Sequence, residues 1–344
     1  MFKGLFDYQS RLEKIDRNGD PLKRIDAIVD WSVFQPDLAS LRETADSSKG
    51  GRPPFDALLK FKMLILQSLY NLSDDGLEQQ VLDRLSFMRF LGLGIGDTVP
   101  DAKTLWAFRE SLKEKGLVEK LFARFDAFLN QAGFTAKRGQ IIDASIVEVP
   151  IRRDSREVNA KVKQGEAVSE WTPAARVQKD VDARWTRKNG DDFFGYKNHV
   201  CPDVEYKLVR AYAVTPASVH DSNVFEELLR PNSDPSVYAD SAYISSARLR
   251  AMSAADSPWL PCLHEKGYAR HPLSETQRMA NRGRSRLRVR VEHVFAAQRQ
   301  RAGHLLLRGI GIARAATKIG LRNLAYNLER FALLAASRPG GIVS

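Results

Sequence analysis

The chain changes character once, near Gly139, and that change limits what it can fold into. Up to about residue 135 the apolar residues recur at helical spacing. Phe55, Leu58, Leu59, Phe61, Met63, Leu64, Leu66 and Leu69 give a nearly continuous apolar helix, started by Pro53-Pro54, because proline is well tolerated at a helix start. Ser73, with Asp74 and Asp75 behind it, caps the next helix, which runs through Leu77, Val81 and Leu85. Phe87, Phe90 and Leu91 form a short helix ended by Gly92 and Gly94. Asp101 to Thr104 opens another, carrying Leu105, Trp106, Phe108 and Leu112. A helix-turn-helix-rich unit and a plain helical bundle fit this segment equally well.

Beyond Gly139 the run Gln140 to Val149 is β-rich and bounded by Gly139 and Pro150. Residues 151–192 are charged and poor in large aliphatics, which reads as a mobile, partly disordered excursion. Strand-like runs follow at 193–196, 208–214, 236–240 and 259–263, with helices at about 221–230 and 244–255. An arginine-rich helix covers about 285–301 and a helical pair covers 311–336. The predicted fold class is therefore α/β: an all-α N-terminal domain over 1–135, then a mixed-sheet domain over 136–336 that contains the excursion.

The chain has 344 residues and a net charge of +11, so an anionic partner is favoured, nucleic acid before an acidic membrane surface. Its most apolar C-terminal stretches are broken by Arg308, Arg314 and Arg322, so no membrane span is expected. The N-terminus lacks the apolar core of a secretory signal, and two cysteines, Cys201 and Cys262, suit a reducing compartment. A cytoplasmic location is expected.

Three acids stand out by position. Asp143 lies in a strand among Ile141, Ile142, Ile146 and Val147, where a carboxylate is costly unless paired or metal-bound. Asp240 follows Val237-Tyr238-Ala239 at the end of a second strand. Glu292 is set among Arg278, Arg282, Arg284, Arg286, Arg288, Arg290, Arg299 and Arg301. At helical spacing Arg288, Glu292 and Arg299 share a face, with Leu287, Val291, Val294 and Phe295 as the adjoining apolar stripe. Taken singly, each acid is explained by a cap or an arginine partner. Together, two strand carboxylates and one helix carboxylate at a sheet edge suit divalent cations and phosphoryl transfer. The many arginines suit bidentate phosphate contacts. Lys197, in Tyr196-Lys197-Asn198-His199, is a further candidate beside DNA, whereas His199 reads as an ordinary exposed strand residue and His220 as a helix cap. Trp171 and Trp185 suit either stacking on exposed bases or anchoring the excursion.

The order of motifs resembles the DDE transposases of bacterial insertion sequences, in particular the IS5 family. The segments carrying the resemblance are GGRPPFDALLKFKMLILQSLYNLSDDGLEQQVLDRLSFMRFLGLG (51–94), VPDAKTLWAFRESL (99–112), IIDASIVEVP (141–150), DARWTRKNGDDFFGYKNHV (182–200), VTPASVHDSNVFEELL (214–229), VYADSAY (237–243) and SRLRVRVEHVF (285–295). The resemblance implies an RNase H-like catalytic domain preceded by a helical region that recognises element ends. It implies Asp143, Asp240 and Glu292 as catalytic acids holding two Mg²⁺ (or Mn²⁺) ions. It also implies double-stranded DNA as partner, both terminal inverted repeats and target, and a homo-oligomer assembled on that DNA. Arg288, Arg299, Arg284, Arg286 and Lys197 are the expected phosphate contacts. Around Glu292 the related signature has Tyr, Arg, Glu and Lys where this chain has Ser285, Arg288, Glu292 and Arg299, and Ser241-Ala242 replaces a frequent Lys-Gly. Two rivals stand beside an active transposase: a catalytically degenerate DNA-binding protein regulating its element, and a general nuclease.

Overall fold

The computed structural model describes residues 5–41, 54–151, 154–166, 168–169, 171–269 and 271–338. Pro53, and Arg152, Arg153, Ala167 and Glu170 of the excursion, lie outside the described residues, as does the side chain of Arg301.

The N-terminal half is helical: α1 (Leu5–Arg17), α2 (Pro21–Ile28), α3 (Gln35–Leu38), α4 (Ala57–Tyr70), α5 (Asp74–Asp83), α6 (Leu85–Leu91), α7 (Ala102–Glu114) and α8 (Leu117–Gln131). Side-chain caps set several of the starts. Asp56 accepts from the Leu59 N–H at 3.0 Å, Ser73 from Gly76 at 3.0 Å and Asp101 from Thr104 at 2.7 Å. Each such cap stabilises by about 1 kcal/mol. Arg84 adopts an extended conformation, so Leu85 opens α6 instead of closing α5. Gly92 supplies the left-handed cap of α6, whereas the Gly94 N–H donates to Asp97 and takes no part in that cap.

The strands then build a mixed sheet from β1 (Gln140–Ile141), β2 (Asp143–Glu148), β3 (Arg184–Lys188), β4 (Asp191–Pro202), β5 (Val209–Pro216), β6 (Ser236–Ala239) and β7 (Leu260–Leu263). β1 and β2 are almost one strand, interrupted at Ile142, whose N–H still donates to the Tyr238 carbonyl at 2.9 Å. β1 pairs parallel with β6, and β6 with β7; β2 pairs antiparallel with β4, and β4 with β5. The order across the molecule is thus β5-β4-β2/β1-β6-β7, an RNase H-like arrangement behind the helical region. Gly139 opens the sheet at φ +86°. A Cβ there would lie 2.6 Å from the Ser236 carbonyl oxygen, so β1 and β6 meet closely only because the residue is glycine.

The excursion is more structured than its composition suggests. Its described residues include α9 (Arg156–Gln164), α10 (Pro173–Arg176) and β3, which returns along β4 through Asn189-Gly190. Both turn residues have positive φ, as a two-residue hairpin requires. Helices α11 (Phe225–Leu228) and α12 (Ser246–Met252) are shorter than expected.

The arginine-rich segment is not one helix. α13 (Glu275–Arg288) begins earlier than expected, at a reciprocal Ser274–Gln277 capping box, and a 3₁₀ turn over Val289–Val291 separates it from α14 (Glu292–Ala302). The expected pair at 311–336 is a single helix, α15 (Ile312–Ala336). Gly320 lies within it at a close approach: an added Cβ would sit 2.3 Å from the Tyr212 hydroxyl and 2.7 Å from Val118. α15 lies against α2, α4, α8 and β5, so helices and sheet share one core containing Leu64, Phe125, Phe134, Val209, Leu324 and Phe331. No helix among the described residues is long and apolar enough to cross a membrane.

Candidate functional site

Asp143 and Asp240 sit at equivalent points of neighbouring parallel strands, each two residues past the Ile141–Tyr238 partner pair. Asp143 is mostly buried. Its Oδ1 accepts the Ala144 N–H at 2.8 Å, and burial pushes its carboxyl up to about 6 despite that bond and the cations Arg288 and Lys188. Asp240 uses Oδ1 to accept the Ala242 N–H, capping the turn Ser241–Tyr243. Tyr243 lies within the field of both acids. Its buried hydroxyl has no hydrogen-bond partner among the described residues, and its pKa is pushed well up, by burial first and then by the charges of Asp221, Asp143 and Asp240.

The third acid comes from the far end of the chain. Val294 and Phe295 bury one side of α14 in the shared core, with Val291 of the preceding turn buried and Leu287 half-buried beside them. That packing sends Glu292 and Arg299 into a cavity of about 250 Å³ lined also by Asp143, Lys188, Phe193 and His304. Glu292 is close enough to raise the Asp143 pKa by like-charge repulsion. Arg288 Nη1 lies 3.6 Å from Asp143 Oδ2, while its Nε is buried without a hydrogen-bond partner among the described residues. Arg288 therefore balances Asp143 and not Glu292. Asp240 does not line this cavity. Among the described residues no three His, Cys, Asp or Glu side chains lie close enough together to hold a metal ion.

The other expected contacts divide. Arg286 is exposed. Arg284 is drawn inward, donating to the Leu263 carbonyl at 2.8 Å and to Glu265 at 3.0 Å. Lys197 is engaged within the protein, at 2.7 Å from Asp221 and 2.8 Å from the Val219 carbonyl, so it does not face outward as a phosphate contact would. His199 is buried, not exposed. Its Nε2 lies 2.9 Å from Thr215 Oγ1, and burial lowers its pKa to about 4. His220 does cap a turn, accepting from the Ser222 N–H at 3.3 Å. Trp171 is tied to Asp154 at 3.2 Å, while Trp185 is half-exposed against Phe194.

Sequence reasoning missed Lys188, His264 and His304. Lys188 reaches the cavity from the β3–β4 hairpin, and Asn189-Gly190 was the signal that could have located it. His264, at the end of β7, lies 3.2 Å from Ser285 and within the field of Asp240 and Arg288. No local pattern marks it.

Asp143, Asp240 and Glu292 offer the donor type a hard divalent cation takes, although the described residues do not bring the three together. The candidate donors are all carboxylate oxygens, and the charges of Asp143 and Asp240 fall on an unpartnered buried hydroxyl. Such a set is the kind that supports metal-assisted phosphoryl transfer on a polyanion.

The family comparisons agree with that class of chemistry. Residues 135–328 match the model described as "Transposase DDE domain", and residues 9–111 match "Transposase domain (DUF772)". The chain belongs to the DDE transposase family, whose domains as a class use divalent metal ions in transposing DNA. Among solved structures, a cryo-EM structure of a piggyBac transposase synaptic complex with hairpin DNA is similar over 94% of this chain and 77% of that chain, at 12% identity and a TM-score of 0.47.

Proposed function

We propose that this chain is the transposase of a bacterial insertion sequence of the IS5 type, acting in the cytoplasm as an oligomer on DNA. Asp143, Asp240 and Glu292 would hold two divalent ions, Mg²⁺ or Mn²⁺. When bound, these ions activate the attacking oxygen and stabilise the leaving one. At the element end, water attacks a backbone phosphate and frees a 3′-hydroxyl, which then attacks a phosphate of the target. Arg299 and Arg288 hold the phosphate beside the acids, and Arg286 contributes charge to the approaching backbone. The helices of residues 1–135 recognise the terminal inverted repeats.

The observation that most supports this reading is that Asp143 and Glu292, from opposite ends of the sheet domain, line one cavity together with Arg299. The test is metal-dependent cleavage of a duplex carrying the element ends. Asp240→Asn is expected to lose more than about a hundredfold in rate, because the ion charge it holds stabilises the transition state. Retained cleavage in that variant would sink the assignment. A catalytically degenerate, DNA-binding regulator is the second reading, favoured by the separation of Asp240 from the Asp143–Glu292 cavity. It predicts salt-sensitive DNA binding without cleavage in the unaltered protein.

A further inference from the structure

The face of α14 turned away from the Glu292 cavity borders a second, larger recess of about 530 Å³. α2 contributes Arg24, the turn between β4 and β5 contributes Lys207, and α15 contributes Tyr326, Glu329 and Arg330. Three cations thus meet one acid, and a fourth cation, Arg290, lies close by: its charge, like that of Arg330, lowers the Lys207 pKa after burial has done so.

Backbone carbonyls hold several of these groups in place. Arg290 donates to the Val204 carbonyl at 2.8 Å, Arg330 to Tyr206 at 2.8 Å and the Tyr326 hydroxyl to Lys207 at 2.7 Å. These bonds fix the turn, with Lys207 in a left-handed conformation at φ +59°. A carbonyl satisfies a donor without cancelling its charge, so the recess keeps an excess of positive potential. The Arg24 Nε is buried with no hydrogen-bond partner among the described residues. An unpartnered buried guanidinium nitrogen beside like charges is costly, and an anion would relieve both costs.

We propose that this recess is a second DNA-backbone site, which takes phosphates of the duplex flanking the reacting strand. The proposal rests on the transposase reading. It follows from the geometry of α14, which carries Glu292 and Arg299 toward one cavity and His293, Ala297 and Gln300 toward the other. A duplex crossing this helix meets both. The contacts are to phosphates, so they add affinity without sequence preference.

The test uses the full chain and a fluorescent duplex of random sequence, with anisotropy read over a range of salt concentrations. Two variants are compared with the unaltered protein: Arg24→Gln, which breaks no hydrogen bond of the Arg24 Nε, and the Lys207→Gln/Arg330→Gln pair. Each lost phosphate contact is expected to reduce the slope of log K against log salt by about one. The weakening should be uniform across duplex sequences. In cleavage assays Arg24→Gln should raise KM and leave kcat unchanged. An unaltered protein that binds the duplex, with both variants matching it in slope and affinity, overturns this site alone. Displacement of polyglutamate, with no change in DNA binding, would assign the recess to an acidic protein segment and also overturn it. Failure of the unaltered protein to bind duplex at all would instead remove the transposase reading beneath it.

Discussion

The Arg288 guanidinium lies 3.6 Å from the Asp143 carboxylate, in the position a cation would take beside a buried acid. The 3₁₀ turn at Val289–Val291 then separates Arg288 from Glu292, so the two adjoin the same carboxylate from successive helices. Arg288 compensates Asp143 in part, and the carboxyl still stands at about 6. Replacing Arg288 with Met removes a competitor for Asp143 and a phosphate contact together. The expected result is tighter Mn²⁺ binding by calorimetry and at least about tenfold slower cleavage. Unchanged affinity for the ion would show that Arg288 does not compete at this carboxylate.

The raised pKa of Asp143 has a consequence for stability. The folded value of about 6 exceeds the ordinary 3.8, so folding favours the protonated form. The associated stability is full below about pH 3.8 and lost as pH rises through 6. Without metal, Asp143→Asn should therefore be more stable than the unaltered protein above pH 6, by on the order of 2–3 kcal/mol. The advantage should vanish in acid. Thermal denaturation across pH, repeated with Mg²⁺, checks this. Added Mg²⁺ should raise the Tm of the unaltered protein and not that of the variant.

The opposite sign holds for Glu110 on α7, which two Arg314 hydrogen bonds at 2.8 Å hold down at about 2. Its stabilisation is present above the ordinary value of 4.5 and lost as pH falls through about 2. The Tm difference between the unaltered protein and Glu110→Gln should be constant at neutral pH and shrink through the acid range. A constant difference down to pH 2 would contradict the pairing.

Asp74 grips the buried Arg109 at 2.7 and 2.8 Å, with Gln67 as the third partner. Asp74→Ala leaves a buried guanidinium without its carboxylate, at a cost of roughly 3 kcal/mol. Urea unfolding measures it; a change under about 0.5 kcal/mol would mean that water replaces the carboxylate.

Much of this arrangement was legible in the residues, and the reasons differ by element. Ser73, Gly92 and Asp101 act locally, through one side chain or one backbone conformation, so their roles could be read directly. Asp143 and Asp240 were visible as acids at strand positions. The arginine-rich segment was misread as one helix because its break depends on tertiary packing of Val291 and on Arg290 reaching Val204. The segment 311–336 was read as a helical pair, yet it is one helix in which the missing side chain of Gly320 serves the approach of Val118 and Tyr212. The engagement of Lys197 by Asp221 and the burial of His199 also depend on contacts that no spacing encodes.

The measurement closest to the central claim is a strand-transfer assay on duplexes bearing the flanking ends of the element that encodes this chain. It would be run with Mg²⁺ and then Mn²⁺, comparing the unaltered protein with Glu292→Gln. Joined products from the unaltered protein alone are the predicted result. DNA binding without cleavage or joining by both proteins, with either ion, would contradict the account and leave a DNA-binding regulator in its place.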